Sequence, residues 1–254
     1  MNITIIGSGN VGSALALSLS KSGHQIMEIG GRNKRTVAAL AKKVKANPVT
    51  DLKKISPVDL IIICVNDQQL ADVAATIPFT TIPVVHTSGA TSINVLKRFK
   101  ICGVLYPVNT ITKDHTSFAG TPFCIDSNST KLTSSLKSVV KDLQGKASTI
   151  TDRQRFIIHL AAVFANNFSN ALFQSAYDLL KKEKLSFSLL QPLIETTVAN
   201  IKTNNPVTVQ TGPALRGDTA TMKKHLQLLE KDAELKKVYQ LLSALILKQG
   251  KLVK

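Results

Sequence analysis

Residues 3–12 read ITIIGSGNVG, an apolar run followed at once by three glycines in the spacing G-x-G-x-x-G. Residues 3–6 predict a strand, and residues 11–22 predict an amphipathic helix. In that context Gly7 permits a tight turn, Gly9 lets the backbone approach a pyrophosphate, and Gly12 lets helix and strand pack closely. The helix N-terminus adds free N–H groups that favour an anion, so the stretch predicts a dinucleotide-binding Rossmann unit. The residues expected to contact the cofactor here are Gly7, Ser8, Gly9, Asn10, Val11 and Gly12.

The second predicted strand ends in a cationic turn, IGGRNKR, at residues 29–35. A site for NAD usually has an Asp or Glu about 20 residues beyond the last glycine, where it accepts a hydrogen bond from the ribose 2′-hydroxyl. Arg32 stands at that distance, and its guanidinium can pair with a 2′-phosphate that a carboxylate would repel. Glu28 is the competing ribose partner, but it comes too early in the strand. The turn predicts NADP, held by Arg32, Asn33 and Arg35, unless these residues only form a solvated helix start.

The composition indicates a folded, globular chain and limits its partners. The sequence has 254 residues, of which 44% are hydrophobic, enough for one large domain or two modest ones. The net charge is +16, but the basic residues are spread along the chain, and tryptophan is absent. Nucleic-acid binders concentrate Lys and Arg and add stacking aromatics. We therefore expect no nucleic-acid partner. We also expect the positive electrostatic field of the protein to attract small anions.

The cysteines and the N-terminus bear on location. Cys64, Cys102 and Cys124 lie singly within apolar runs, which predicts neither a disulfide framework nor a metal site. The N-terminus enters a strand at once and does not resemble a signal peptide. No run of residues approaches the roughly 20 apolar residues that cross a bilayer. These observations predict a cytoplasmic protein without a membrane partner.

Strand and helix patterns alternate from the N-terminus to about residue 150, which predicts an α/β fold with a parallel sheet. Residues 60–65, LIIICV, show no alternation of apolar and polar residues, which is typical of a central strand covered on both faces. Strands are predicted at residues 3–6, 25–29, 60–65, 84–86, 103–106, 123–126 and 147–151. Helices are predicted at residues 11–22, 35–45, 68–75 and 92–99.

The chain changes character after residue 150, where no further strand pattern occurs. Helices are predicted at residues 153–182, 188–203 and 219–247. Prolines and glycines in residues 204–218 prevent a continuous helix there. We therefore predict a Rossmann-type domain at residues 1–150 and a smaller all-α domain at residues 151–254.

Ligands of an open parallel sheet bind at the carboxyl ends of its strands. Val65, Asn66 and Asp67 end or follow the predicted central strand, and Ser88 follows the next strand, so all four are predicted near the cofactor. Each has a structural alternative. Asp67 is an equally good helix N-cap, and Ser88 can form a turn. His86 is expected to be structural more than catalytic.

The long predicted helix carries polar residues on an otherwise apolar surface. At about 100° per residue His159, Asn166 and Asn170 fall on one line. The stripe predicts either a substrate site, with His159 and Asn166 as catalytic candidates, or a structural hydrogen-bond network. The surrounding apolar residues predict burial in a domain core or a subunit interface.

Arg216 lies in the Gly- and Pro-containing stretch TGPALRGD, residues 211–218. A guanidinium held there can bind a substrate carboxylate or pair with Asp218. Asp218 itself suits a helix N-cap. The first alternative predicts a small, anionic substrate.

Five segments in order, GSGNVG, HTSGA, YPVNT, HLAAVFANN and TGPALRGD, resemble the family that joins a Rossmann-like domain to the domain of unknown function 2520. That family is labelled NADP oxidoreductase and is similar to pyrroline-5-carboxylate reductase and 6-phosphogluconate dehydrogenase. The resemblance implies a dimer through a helical domain of the 6-phosphogluconate dehydrogenase type. By position, His159 and Asn166 stand where the latter enzymes use Lys and Asn. Tyr106 departs from the His of many relatives, and the missing Ser/Thr-Pro-Gly-Gly segment speaks against proline synthesis.

Together these features favour an enzyme that transfers hydride between NADPH and a small, anionic carbonyl or imine compound, with His159 as proton donor and Arg216 as anion anchor. The alternative is a non-catalytic NADPH-binding sensor, because no unmistakable catalytic constellation is visible. A methyltransferase using S-adenosylmethionine is disfavoured, since its ribose also requires an acid near the end of the second strand.

Overall fold

The computed structural model describes residues 1–78, 80–112 and 117–251. The chain divides into two compact units, Met1–Ala165 and Asn166–Lys254. The first unit contains a sheet of eight strands, and the described part of the second is helical. The predicted fold class, a Rossmann-type domain followed by a helical region, is confirmed.

The sheet has the strand order β3-β2-β1-β4-β5-β6-β7-β8. All neighbouring strands are parallel except β6 and β7, which are antiparallel. The order reverses beside β1, so the crevice at the carboxyl ends of β1 and β4 is where such a sheet binds ligands. The strands are β1 (Asn2–Ile6), β2 (Gln25–Gly30), β3 (Asn47–Val49), β4 (Leu60–Ile63), β5 (Val84–His86), β6 (Cys102–Pro107), β7 (Pro122–Ser127) and β8 (Lys146–Thr149).

Strand β4 confirms the prediction of a central strand covered on both faces. Leu60 and Ile62 belong to the apolar cluster on one face, while Ile61 and Ile63 belong to the cluster on the other. Four helices cover the sheet, and their apolar residues enter these two clusters. They are α1 (Asn10–Lys21), α2 (Lys34–Val44), α3 (Asp67–Thr76) and α4 (Thr130–Asp142).

Two elements of the first unit were not predicted, and a third was assigned the wrong type. Strand β3 was not predicted. It contains Pro48, which lacks an N–H donor and is tolerated because β3 lies at the sheet edge. Helix α4 was missed. The helix predicted at residues 92–99 is only a 3₁₀ turn at Ile93–Leu96, whose preceding residue Ser92 caps the backbone N–H of Asn94.

The long helix predicted at residues 153–182 is interrupted. It consists of α5 (Asp152–Ala162), a π-helical segment (Val163–Phe168) and α6 (Ser169–Lys182). The prediction that His159, Asn166 and Asn170 form one line assumed 100° per residue, and the wider π turn breaks that assumption. The boundary between the two compact units also falls in this π-helical segment. Helix α5 belongs to the first unit, because Asp152, Arg155 and His159 form hydrogen bonds to residues at β6 and after β5.

The described part of the second unit continues with four more helices. The helix predicted at residues 188–203 consists of a 3₁₀ turn (Phe187–Leu190) and α7 (Gln191–Thr203). A short helix α8 (Pro213–Arg216) lies in the segment predicted to lack a continuous helix. The prediction of a single helix at residues 219–247 is wrong. It is two helices, α9 (Thr219–Leu228) and α10 (Ala233–Lys251).

The helical stretch Asp152–Lys182 is 31 residues long, and its most apolar window has a mean hydropathy of 1.4, so length and composition would let it cross a membrane. The stretch is not an unbroken apolar run, because it includes His159, Asn166 and Asn170. The absence of a membrane partner therefore stays a prediction. One such helix does not define a membrane protein, because the core helix of a soluble protein passes the same test. None of that apolar window is buried within the chain.

Candidate functional site

The three glycines of the opening motif have different reasons to be glycine. Gly7 has φ +118°, and a Cβ there would lie 2.1 Å from the carbonyl oxygen of Cys64. A Cβ on Gly12 would lie 2.0 Å from the carbonyl oxygen of Gly7. Gly9 has an ordinary φ of −75°, and no described atom lies within 4 Å of the position its Cβ would take. Packing explains the first and third glycines, whereas the second leaves open space at the start of α1.

A cavity of about 350 Å³ lies beside this loop, at the carboxyl ends of β1, β2 and β4. It brings together Gly9, Arg32 and Val65, which are remote in sequence. The predicted cofactor residues that line it are Gly7, Ser8, Gly9, Arg32, Asn33, Val65 and Asn66.

The cationic turn divides into residues that line the cavity and residues that do not. Asn33 caps α2, its side-chain oxygen accepting the backbone N–H of Thr36 at 3.2 Å. The hydroxyls of Ser8 and Thr36 are hydrogen-bonded at 2.7 Å, which joins the glycine loop to α2. Arg32 is exposed and has no ion pair among the described residues. Arg35 is also exposed, but it is absent from the described lining of this cavity.

Glu28 is unavailable to a ribose. Its side chain is buried, 3% exposed, and it accepts hydrogen bonds from the Thr4 hydroxyl at 3.1 Å and the Ser56 hydroxyl at 2.7 Å. The Ser56 backbone N–H adds a third. These partners satisfy a carboxylate that would otherwise be costly to bury, so Glu28 is structural.

A second cavity, of about 490 Å³, shares Gly9, Val65 and Asn66 with the first. The two cavities therefore adjoin around the N-terminus of α1. His159 of α5 lines the second cavity, and Asp67 is the one acidic residue in its described lining. The other predicted site residues that line it are Gly9, Asn10, Val11, Val65, Asn66 and Ser88.

The structure tests the structural interpretations of two of these residues. Asp67 is the first residue of α3 and not its N-cap, which is Asn66, so the N-cap interpretation of Asp67 is wrong. The hydroxyl of Ser88 accepts the backbone N–H groups of Ala90 and Thr91 at 3.1 and 2.9 Å, which confirms its turn-forming interpretation. Both residues line the cavity.

Tyr106, on β6, lies against His159. Its hydroxyl is 3.2 Å from Nδ1 of His159, and the two rings meet edge to face with centroids 5.9 Å apart. Burial raises the pKa of Tyr106, so its hydroxyl keeps its proton at neutral pH. The sequence indicated Tyr106 only as a departure from relatives and gave no sign of this contact, which joins positions 53 residues apart.

The first turn of α5 is tied to the segment after β5. Asp152 accepts hydrogen bonds from the Ser92 hydroxyl and the Ile93 backbone N–H. The fully buried Arg155 donates to Asp152 at 2.7 Å and to the carbonyl oxygen of Thr91. Burial acts to raise the pKa of Asp152, but these hydrogen bonds outweigh it and hold the pKa below its ordinary value. The ties fix the start of the helix that carries His159.

His86 is the last residue of β5 and is fully buried. Burial, and then the charge of Arg155, lower its pKa to about 4, so the ring is neutral at pH 7. Its Nδ1 accepts the backbone N–H of Ser88 at 3.1 Å. This geometry favours the structural interpretation of His86.

The remaining catalytic candidates, Asn166 and Arg216, belong to the second unit, where both are exposed. Asp218 caps α9 as predicted, accepting the backbone N–H of Thr221 at 3.0 Å. No ion pair within 4 Å joins Arg216 to Asp218 among the described residues. The catalytic roles of Asn166 and Arg216 stay predictions.

Sequence profiles of two families match the chain. The profile described as domain of unknown function (DUF2520) matches residues 121–246, and the one described as NADP oxidoreductase, coenzyme F420-dependent, matches residues 2–85. No curated protein matches this chain.

Three solved structures resemble it over nearly their full length. A Bacteroides fragilis protein provisionally named an NADP oxidoreductase is 33% identical, with a TM-score of 0.88 over 97% of this chain and 98% of that one. An Aspergillus terreus reductive aminase is 16% identical, with a TM-score of 0.77 over 96% and 92%. A Streptococcus pyogenes pyrroline-5-carboxylate reductase is 16% identical, with a TM-score of 0.66 over 99% and 98%.

At 16% identity the second and third of these show a shared fold alone. The first is much more similar in sequence and spans both units. The cavity that joins the glycine loop to Arg32 lies within the residues matched by the NADP oxidoreductase profile. The chain therefore belongs to the NADP oxidoreductase family in which a Rossmann-like domain is followed by the domain of unknown function 2520.

Proposed function

We propose that this protein transfers hydride between NADPH and a small carbonyl or imine compound. The observation that carries the proposal is the pair of adjoining cavities, with Arg32 in one, His159 in the other and Gly9 in both. This order matches a dinucleotide with a phosphate at one end and its reacting ring at the other. The cofactor supplies the hydride, and the protein supplies orientation and charge.

Three parts of the chain would hold the cofactor. Arg32 offers a guanidinium to the 2′-phosphate, and no described acidic residue shares its cavity. The N-terminus of α1 offers backbone N–H groups to the pyrophosphate, and the open space at Gly9 lets it approach. The second cavity, between Ser88 and His159, would receive the nicotinamide and the substrate.

His159 would donate a hydrogen bond from its neutral ring to the oxygen or nitrogen at which charge develops as hydride arrives. When the ring has taken a proton from solvent it would pass that proton to the same atom and return to the neutral form. Asn166, and Arg216 as the anchor of an anionic group, stay candidates for substrate binding on the sequence argument alone. The fold is shared with an Aspergillus terreus reductive aminase that was crystallised with NADPH and ethyl-5-oxohexanoate, a small carbonyl compound.

His159→Ala tests the catalytic assignment. With carbonyl and amine or imine compounds screened for NADPH oxidation, kcat/KM should fall about 100-fold or more, because a positioned acid contributes about that much. The dissociation constant of NADPH should change less than about twofold. His225→Ala is the matched control, since His225 bonds to Tyr239 at 2.9 Å within the second unit. An equal loss in both variants would refute the donor role.

Wild-type protein that binds NADPH tightly but turns over no compound in the panel would overturn the enzymatic proposal. That result would favour the NADPH-binding sensor.

The second unit would pair with a second copy of this chain. The described helices expose many large apolar side chains, and Leu193 and Leu241 are 63% and 71% exposed. Monomeric proteins rarely leave so much apolar surface in water. Sedimentation of the 27.4 kDa chain at micromolar concentration should give twice that mass. A monomer, or protein that partitions into lipid vesicles, would contradict the dimer.

A further inference from the structure

The proposed function uses His159 but leaves its ring partner without a role. Resting on that function, we propose that Tyr106 is a positioning residue, whose hydroxyl donates to Nδ1 of His159 and so places the ring hydrogen on Nε2. A neutral imidazole carries its hydrogen on one nitrogen only, and the partner of the other nitrogen selects which.

The direction of the hydrogen bond follows from the partners available to each group. Among the described residues, the hydroxyl of Tyr106 has Nδ1 of His159 as its hydrogen-bond partner, at 3.2 Å. If Nδ1 carried the ring hydrogen, the phenolic hydrogen of this part-buried pair would have no acceptor among the described residues and would have to donate to solvent. Burial raises the pKa of Tyr106, so the phenol retains that hydrogen. Donation from oxygen to Nδ1 satisfies both groups.

Gly89 shows that the position of this pair is built into the fold. A Cβ on Gly89 would lie 2.7 Å from Nδ1 of His159 and 2.7 Å from Cζ of Tyr106. The φ of Gly89 is not in the left-handed region, so the two rings, and not the backbone, require glycine there. The segment after β5, which contains Gly89, is hydrogen-bonded to α5 through Asp152 and Arg155. Strand β6, helix α5 and this segment together confine the ring.

The consequence for chemistry concerns the nitrogen that remains. His159 lines the second cavity, and Tyr106 occupies its Nδ1, so Nε2 is the nitrogen available to a ligand. With the hydrogen on Nε2, the ring enters each encounter as a donor to a carbonyl oxygen or imine nitrogen. A ring with the opposite tautomer would present a lone pair to the same atom.

Nitrogen NMR of protein labelled with ¹⁵N-histidine tests the tautomer without any substrate. His159→Gln assigns the resonances, and wild-type protein above pH 8 should show a hydrogen on Nε2 and an unprotonated Nδ1. Tyr106→Phe should show a mixture of both tautomers. A wild-type ring with its hydrogen on Nδ1, or the same spectrum in wild type and Tyr106→Phe, would overturn the proposal even if the protein proves to be an enzyme.

Kinetics test the consequence for catalysis. Tyr106→Phe should lower kcat about 10- to 100-fold, as other hydrogen bonds that orient a histidine do, with KM changed less than about twofold. In the His159→Ala background the same substitution should have no further effect. An equal loss in both backgrounds would contradict the proposal. If wild-type protein shows no turnover, the proposed function fails, while the NMR result still decides the role of Tyr106.

Gly89→Ala provides a second variant that keeps both side chains. Its Cβ should separate the rings, so it should give the mixed tautomers and reduced kcat of Tyr106→Phe. Thermal unfolding of each variant, monitored by circular dichroism, establishes that the fold persists. A Gly89→Ala variant that is folded and retains the wild-type histidine spectrum would show that confinement of the pair is unnecessary.

Discussion

Replacing Gly9 with alanine should weaken NADPH binding at least about 100-fold while changing the free energy of unfolding by less than about 1 kcal/mol. The two effects separate because Gly9 has φ −75° and no described atom within 4 Å of its Cβ position. An alanine there meets solvent in the free protein. In the complex it occupies the space that a pyrophosphate needs.

The size of the binding loss comes from two contributions. Overpacking a close contact costs about 1–3 kcal/mol, and each charge-assisted hydrogen bond withheld from a phosphate costs about 1.5–3 kcal/mol. Titration calorimetry measures the binding loss in the variant, and urea unfolding measures the change in stability. A folded Gly9→Ala protein with wild-type affinity would show that no ligand approaches this loop.

Arg32→Asp should weaken NADPH binding by about 2–3 kcal/mol, roughly 30- to 150-fold. The change removes a guanidinium from a cavity with no described acidic lining residue and puts a carboxylate beside the expected phosphate. Binding of NADH, which lacks that phosphate, should change less than about threefold. Both nucleotides are titrated against each variant.

Lys43→Asp is the matched control for this charge reversal. Lys43 is exposed on the last turn of α2, and it does not line the cavity where the structure describes it. A general change in the electrostatic field of the protein would weaken NADPH binding in both variants alike. Equal losses for NADPH and NADH in Arg32→Asp, or equal losses in the two variants, would refute the role of Arg32.

The sheet and the cofactor half of the site could be predicted because their signals are local. Four consecutive apolar residues identify β4, and the glycine motif with the cationic turn lies within residues 3–35. Helix α4 could also have been predicted, since Leu132, Leu136 and Val139 follow the helical period and are buried.

The part of the candidate site around His159 could not be predicted from local patterns. The bond between Tyr106 and His159 spans 53 residues, and that between Ser92 and Asp152 spans 60. Periodicity describes one element at a time and carries no information on such contacts. The π-helical segment Val163–Phe168 likewise changes the rotation per residue that the predicted polar stripe assumed.

The central claim is that the cavity at the end of β2 is built for the extra phosphate of NADPH. Calorimetric titration of wild-type protein with NADPH and with NADH, at the same low ionic strength, tests it most directly. NADPH should bind at least about 10-fold more tightly. Equal affinities, or no binding of either nucleotide, would contradict it.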